Sequence, residues 1–469
     1  MARRLSLLLG VFLSVSSPSL LAADESDSYL NYKIPGLDKP AIRQVDILPL
    51  LQELQKSPLL RVEEIARSYE GRPISSVSIG RGDTRVMMWS QMHGDEPTAT
   101  TALFDLLAFI TAPEQAQWRD GWMDDLTLVM VPMLNPDGAE RDTRHNAQSF
   151  DVNRDAKALQ SPEGRALMSL AKSFKPEFGF NLHDQNRHYG VGQTDKMATI
   201  SVLAPAYNEA REVNASRARA MKLIGLLVQR IDPSIGDHIA KYDDTYAWRA
   251  FGDTFAEMGI STILIESGAH PNDPNRQVAR RMNFEMLVAA IDSIASGSYQ
   301  PVSVGVYNSI PFNRDEAFVD VKIDNIRAGD GDKAYRTDIA INHRYGSVSV
   351  VDVGDLSNKH GALSVDAGGA QYQAAKAYQL EKTLELTDRR YLELLRSGYG
   401  YFVGDSELLV KETQWPVVVN PANLEGERPA RRQAATFLLR DEAGVRLAVL
   451  NGGVVDVRKG NLLALDLDP

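Results

Sequence analysis

The sequence predicts an α/β domain followed by a β-rich region, and three observations carry this. Between residues 24 and about 300, short apolar runs alternate with longer segments of helical periodicity. Polar and charged residues gather where those apolar runs finish, which is where open α/β sheets bind ligands. After Ser296-Gly297-Ser298 the pattern changes to short alternating runs broken by glycine turns.

Taken in order, the chain opens with export architecture. Arg3 and Arg4 form a basic start, Leu5 to Leu13 an apolar stretch, and Ser14 to Ala23 a small-residue segment with cleavage after Ala22 or Ala23. Residues 1–23 read as a signal peptide, too short for a membrane span, so the expected location is the periplasm or the medium. Arg85 to Met92 is a strand, and a helix follows Pro97 over Thr98 to Ile110. Leu126 to Val131 is a strand ending in the turn signal Asn135-Pro136-Asp137-Gly138. Phe178 to Leu182 is a short strand leading into His183-Asp184-Gln185-Asn186, and Ala215 to Val228 is helical. Ser261 to Ile265 is a buried strand ending in Glu266-Ser267-Gly268, and a helix over Gln277 to Ile294 closes the domain. The expected organisation is therefore residues 24–300 as one domain and 301–373 as a small β-rich domain. Residues 374–469 form a last region, with a charged amphipathic helix over Ala374 to Leu395 before further strands.

Composition narrows the chemistry. At 469 residues the chain exceeds one compact core. A net charge of -11 argues against a nucleic-acid surface, which needs a basic stripe. With no cysteine there is no disulfide, no thiolate metal site and no lipid anchor on cysteine, so no stable membrane anchor is expected. Oligomeric state is not legible.

The metal-ligating residues stand out. His93-Gly94-Asp95-Glu96 delivers an imidazole and a carboxylate three positions apart after an apolar run. A catalytic zinc takes three protein ligands and leaves one position open. His183, also following a short strand, is the best third ligand, and its 90-residue distance from His93 implies a site assembled from several strands.

The ordered set His93-Gly94-Asp95-Glu96, Asn135-Pro136-Asp137-Gly138, Arg141-Asp142-Thr143-Arg144, Asp151-Val152-Asn153-Arg154, Leu182-His183 and Ile265-Glu266 resembles the M14 zinc carboxypeptidase family over residues 40 to 300. The resemblance implies a mixed, mostly parallel sheet flanked by helices, and one zinc held by His93, Glu96 and His183. It implies Glu266 as general base and then acid, and an arginine donating to the carbonyl oxygen. For that arginine it favours Arg141, while spacing leaves Arg144 open. Asn153 and Arg154 would hold the terminal carboxylate of a peptide or small amide substrate, and Asp151 would orient His93. Tyr246 is slightly preferred over Tyr242 as the tyrosine covering substrate. Arg249 and His188 are candidates to meet an acidic substrate group, which would suit cell-wall peptides. Two other readings compete. One is a zinc deacylase of N-acyl amino acids, since His93-Gly94-Asp95-Glu96-Pro97 also resembles the succinylglutamate desuccinylase and aspartoacylase branch. The other is a non-catalytic cell-wall or carbohydrate-binding protein.

Overall fold

The computed structural model describes residues 25–464 apart from 345–346, 423 and 425. The expected signal peptide lies outside the described residues. Nine strands serve the first domain: β1 (Arg61–Arg67), β2 (Pro73–Gly80), β3 (Thr84–Ser90), β4 (Leu126–Val131), β5 (Phe178–Asp184), β6 (Gly190–Val191), β7 (Ile200–Leu203), β8 (Ile239–Lys241) and β9 (Ser261–Ser267). All but β6 form one eight-stranded sheet in the order β1-β2-β4-β3-β5-β9-β7-β8. Its centre, β4-β3-β5-β9, is parallel, and the pairings β1–β2, β2–β4 and β9–β7 are antiparallel. The sheet is mixed and mostly parallel, as the resemblance implied.

Parallel central strands are buried on both faces and therefore read as unbroken apolar runs. In β3, Val86 and Met88 face a core shared with the helices Thr98–Thr111, Ala215–Ile235 and Gln277–Ser296. Met87 and Trp89 face the other core, with Leu167 and Met168 of the helix Pro162–Phe174 and Phe251 and Phe255 of the helix Phe251–Glu257. The period-two alternation also sets the site. Phe180 and Leu182 of β5 and Ile263 and Ile265 of β9 enter the first core. Asn181, His183, Leu264 and Glu266 therefore project from the opposite face. Among the described residues, no helix is long and apolar enough to cross a membrane.

The first core runs past residue 300. The helix Val304–Ser309 follows, and Tyr299, Tyr307 and Ile310 are buried in that core. The chain then crosses to a second sheet through β10 (Asn313–Arg314), which pairs antiparallel with β6. Next come β11 (Phe318–Ala328), β12 (Tyr335–Arg344), β13 (Ser347–Gly354), β14 (His360–Asp366) and β15 (Gln371–Ala374). These join Phe437–Asp441, Gly444–Leu450, Gly453–Asp456 and Asn461–Ala464 in one nine-stranded sheet. Residues on both sides of position 373 thus share a sheet and a core containing Ile323, Ile341, Tyr372, Phe437 and Val449.

The helix expected over Ala374 to Leu395 is corrected. Lys376–Leu380 and Leu384–Thr387 are strands, and only Asp388–Arg396 is helical, capped by Thr387 Oγ1 accepting from Arg390 N. Leu380 and Leu386 are buried in a further cluster with Phe402 and Leu409. Spacing of two at Tyr378/Leu380 and Leu384/Leu386 outweighs the charged residues that suggested a helix. The turn expected at Asn135-Pro136-Asp137-Gly138 is instead the start of a short helix, Pro136–Arg141. Asn135 Oδ1 caps Gly138 N at 2.9 Å, with Pro136 at the first helical position.

One buried ion pair ties the layers. Asp105 and Arg280, both fully buried, bond through Oδ1–Nη2 and Oδ2–Nε, each 2.7 Å. Tyr29 Oη and Ile34 N donate to the same carboxylate at 3.0 and 2.8 Å, fastening the start of the described chain to two helices. Asp105→Ala leaves Arg280 buried and unpaired and is expected to cost about 3–5 kcal/mol, read by equilibrium denaturant unfolding. A loss under about 1 kcal/mol would show that the pair contributes little.

Candidate metal centre and active site

β3 ends in a tight turn that aims His93 and Glu96 at each other. Gln91 takes a left-handed φ of 48°, and its side chain is committed on both ends: Nε2 donates to Ile42 O and Gly94 O at 2.9 Å, and Oε1 accepts from Thr100 Oγ1 at 3.0 Å. Glycine at 94 is required, because a Cβ there would collide with the Gly138 backbone. The first two motifs of the sequence are therefore in contact.

Glu96 lies between two imidazoles. Its Oε1 is 2.7 Å from His93 Nδ1 and its Oε2 is 2.6 Å from His183 Nδ1. The ring centroids are 4.8 Å apart, and all three side chains are buried. One ligand atom from each residue lies within 4.8 Å of the others, the only such group among the described residues. Two Nδ1 atoms and a carboxylate converging in a buried site are a donor set that zinc accepts. His93 Nε2 is backed by Asp151 Oδ1 at 3.1 Å, the outer-partner arrangement that fixes a ligating ring. These residues fit a single zinc ion.

The electrostatics follow from burial among charges. Burial pushes the Glu96 carboxyl up, but the two imidazoles outweigh it and hold the group well below the usual carboxylate range. At His93 burial opposes the charged ring, while Glu96 and Asp151 raise it to about 9. At His183 burial prevails and lowers the ring. Asp151 is likewise held down, with burial outweighed by His93 and Arg144.

Arg144, not Arg141, reaches this centre. Its Nε and Nη2 donate to Asp151 Oδ2 at 3.1 and 2.9 Å, and its Nη1 lies 3.1 Å from His93 Nδ1 and 3.4 Å from Glu96 Oε1. Arg141 instead pairs with Glu70 and donates to Asp137 O at 3.0 Å. The preference for Arg141 is reversed for a local reason. Arg141 ends its helix, Asp142 caps it in the left-handed conformation (φ 50°, ψ 56°), and the turned chain carries Arg144 back to the metal ligands.

Asp151 also caps the turn that follows, its Oδ1 accepting from Asn153 N at 2.9 Å. Asn153 Nδ2 lies 3.4 Å from His183 Nε2, and its Oδ1 accepts from Phe251 N at 2.9 Å. Arg154 is exposed, with Nη1 donating to Asn153 O at 2.8 Å. Opposite them, Glu266 of β9 pairs in register with His183 of β5. Burial first, then the Glu96 charge, raises Glu266 well above the usual carboxylate range.

The two tyrosines divide. Tyr242 packs against Tyr189, ring centroids 5.6 Å apart, and burial and then the Glu266 charge push its hydroxyl up, so it stays a donor. Tyr246, the slightly preferred candidate, is half-buried, and burial and then the Glu257 charge push its hydroxyl up. Arg249 is exposed, its carbonyl accepting from Ala156 N at 3.2 Å. His188 is buried, with Nε2 3.0 Å from Asp320 Oδ1, and it lines a cleft together with Asp184 and Thr98.

Asp184 escaped the sequence reading as a working residue. Its Oδ2 accepts from Thr98 N at 3.2 Å and from Thr98 Oγ1 at 2.7 Å, and Arg276 Nη1 lies 3.5 Å away. It fastens the strand carrying His183 to the helix that follows Glu96, and burial pushes it up to about 6.

Residues 47–221 match the Peptidase M14 family model, described as zinc carboxypeptidase. The chain is 28% identical over 128 residues to carboxypeptidase 2 of Trichophyton rubrum, covering 25% of this chain and 23% of that protein. It is 23% identical over 218 residues to carboxypeptidase SOL1 of Arabidopsis thaliana, covering 38% and 44%. The chain thus spans less than half the length of these curated relatives. Among solved structures, a metallo-carboxypeptidase from Burkholderia cenocepacia aligns with a TM-score of 0.45 at 18% identity, over 55% of this chain and 70% of that one.

His183→Ala is expected to abolish stoichiometric zinc binding, measured by metal analysis of dialysed protein; an unchanged stoichiometry would remove it from the ligand set. Asp151→Ala, which keeps all three ligands, is expected to weaken zinc affinity by about 10–100-fold in chelator competition.

Proposed function

Because the chain carries an M14 zinc carboxypeptidase domain over residues 47–221, we propose that it hydrolyses the C-terminal peptide or amide bond of substrates with a free carboxylate. The observation that carries this reading is the pairing of Glu266 with His183 across β5 and β9, which sets a carboxylate of raised pKa beside the buried His93–Glu96–His183 group. Zinc bound there supplies Lewis-acid polarisation of a carbonyl and acidifies a water.

The remaining roles fall to side chains. Glu266 removes a proton from the attacking water and returns it to the departing amine. Arg144, oriented by Asp151, offers a permanently charged donor to the oxygen on which negative charge develops. Asn153 and Arg154 bind the terminal carboxylate, for which guanidinium is suited by its paired donors. Tyr242, packed on Tyr189 with its hydroxyl kept protonated by burial and the Glu266 charge, is the tyrosine that covers substrate in this reading. Export to the periplasm or medium, from the first 23 residues, would place the enzyme among extracellular or cell-wall peptides.

Glu266→Gln is expected to keep zinc and to lower turnover by about 10²–10⁴-fold, and normal turnover would remove it from the proton-transfer role. Arg144→Ala should cost about 10²–10³ in kcat, and Arg141→Ala far less; the reverse order would return the oxyanion role to Arg141. Since Glu266 acts deprotonated and its pKa is raised, kcat/KM should fall on acidification well above pH ~4.3, the ordinary glutamate value. A profile flat from pH 5 to 8 would contradict that assignment.

A further inference from the structure

Asn181 lies on the working face of the central sheet with both ends of its amide unpaired. It stands two residues before His183 on β5 and pairs in register with Leu264 of β9, itself two residues before Glu266. At the usual strand rise its Cα is about 7 Å along the strand from that of His183. Phe180, Leu182, Ile263 and Ile265 enter the opposite core, so Asn181, His183 and Glu266 share a face. The side chain is 1% exposed, and no protein group bonds its Oδ1 or its Nδ2. Among the described residues it is the only buried side chain whose donor and acceptor both lack a partner. Ser201, buried on the same face, pairs in register with Glu266 from β7, and its Oγ is also unpartnered. Two unsatisfied polar side chains thus bracket the end of β9.

The neighbouring helix joins this amide to the substrate groups. Gly252, in the helix Phe251–Glu257, faces it without a side chain: a Cβ there would stand 3.4 Å from Asn181 Nδ2 and 3.3 Å from Pro205 Cγ. The residue before it, Phe251, donates through N to Asn153 Oδ1 at 2.9 Å, and Asn153 Nδ2 lies 3.4 Å from His183 Nε2. Asn181 therefore sits between the strand bearing a metal ligand and the helix bonded to Asn153. A peptide with its carboxylate at Asn153 and Arg154 and its last carbonyl at the metal ligands has the Cα of its final residue between those anchors. The side chain branching from that Cα is the part of the substrate that can meet Asn181. Leaving a buried donor or acceptor unpaired costs about 1–3 kcal/mol, and native proteins leave few of them. A second amide satisfies both ends at once, its oxygen accepting from Nδ2 and its N–H donating to Oδ1. A carboxylate brings acceptors only, an ammonium donors only, and an apolar side chain neither.

We propose that Asn181 is a specificity-determining residue that selects substrates whose C-terminal residue carries an amide side chain, asparagine or glutamine. The inference rests on the carboxypeptidase reading and names the substrate class of that site. Selection works mainly by rejection. An apolar side chain of the same shape fills the space but leaves the buried amide unpaired, and a site built to hydrogen-bond excludes such an analogue more strongly than an apolar pocket excludes a misfit. Gly252 belongs to the same arrangement, since any larger residue would lay a methyl group against Nδ2.

The test uses the full-length, zinc-loaded protein and N-acylated dipeptides that differ only in their last residue, one for every standard amino acid. kcat and KM are measured separately, with zinc content and the unfolding midpoint determined for each variant. Wild type is expected to favour asparagine over its near-isostere leucine, or glutamine over methionine, by about tenfold or more in kcat/KM. Asn181→Leu should keep zinc and reverse that order. It should also leave the unfolding midpoint unchanged or raised, because it removes two unpaired buried groups. A merely structural asparagine would instead lower the midpoint and slow all substrates alike. Gly252→Ala, at a helical position that alanine suits, should keep zinc and lower the amide preference about tenfold. A wild type that cleaves without preferring amide side chains, or an Asn181→Leu variant that loses the same factor on every substrate, would overturn the Asn181 assignment alone. Failure of wild type to cleave any of the dipeptides would overturn the carboxypeptidase reading and the selectivity with it.

Discussion

The Glu96 carboxylate is the contact on which the site depends. A buried carboxylate persists in ionised form only where compensating groups surround it. Here each oxygen meets the Nδ1 of a different histidine, one from its own turn and one from a strand 87 residues away. The compensation spreads outward: Asp151 backs His93, Arg144 backs Asp151, and Asn153 approaches the far nitrogen of His183. Each further residue gives the buried charges a partner, so the electrostatic demand that builds a metal centre also arranges the groups around it.

Such a centre needs rigid supports, and the parallel pairing of β3, β5 and β9 provides them. Strands that run the same way finish at the same edge, so residues far apart in sequence arrive together. One register position sets Glu266 beside His183, and side-chain alternation turns both from the same face. Asp184 then couples the ends of two ligand segments through Thr98. Few of these residues sit on long loops, which suits a site whose ligand geometry must be held closely.

Much of this was legible in the sequence. His93, Glu96 and His183 stood at the ends of apolar runs, and apolar run length recovered β4 and the cores of β3, β5 and β9. What resisted reading depended on backbone turns or on partners beyond local pattern. A single left-handed residue, Asp142, exchanged the directions of Arg141 and Arg144. The partner of His188, Asp320, lies 132 residues away in another sheet, beyond the reach of any local pattern. The segment from Lys376 to Thr387 carried helix-compatible charges, yet its apolar pairs at spacing two, Tyr378/Leu380 and Leu384/Leu386, belong to strands.

The Asp320–His188 contact also joins parts of the chain that are made at different times. A chain made from its N-terminus, with domains folding as units, completes its metal ligands at residue 183 and its proton-transfer carboxylate at residue 266. The contact that secures the loop between them follows only with residue 320 and its sheet. A chain ending before residue 320 would carry the ligand positions without the contact that fastens the loop after His183 to the second sheet.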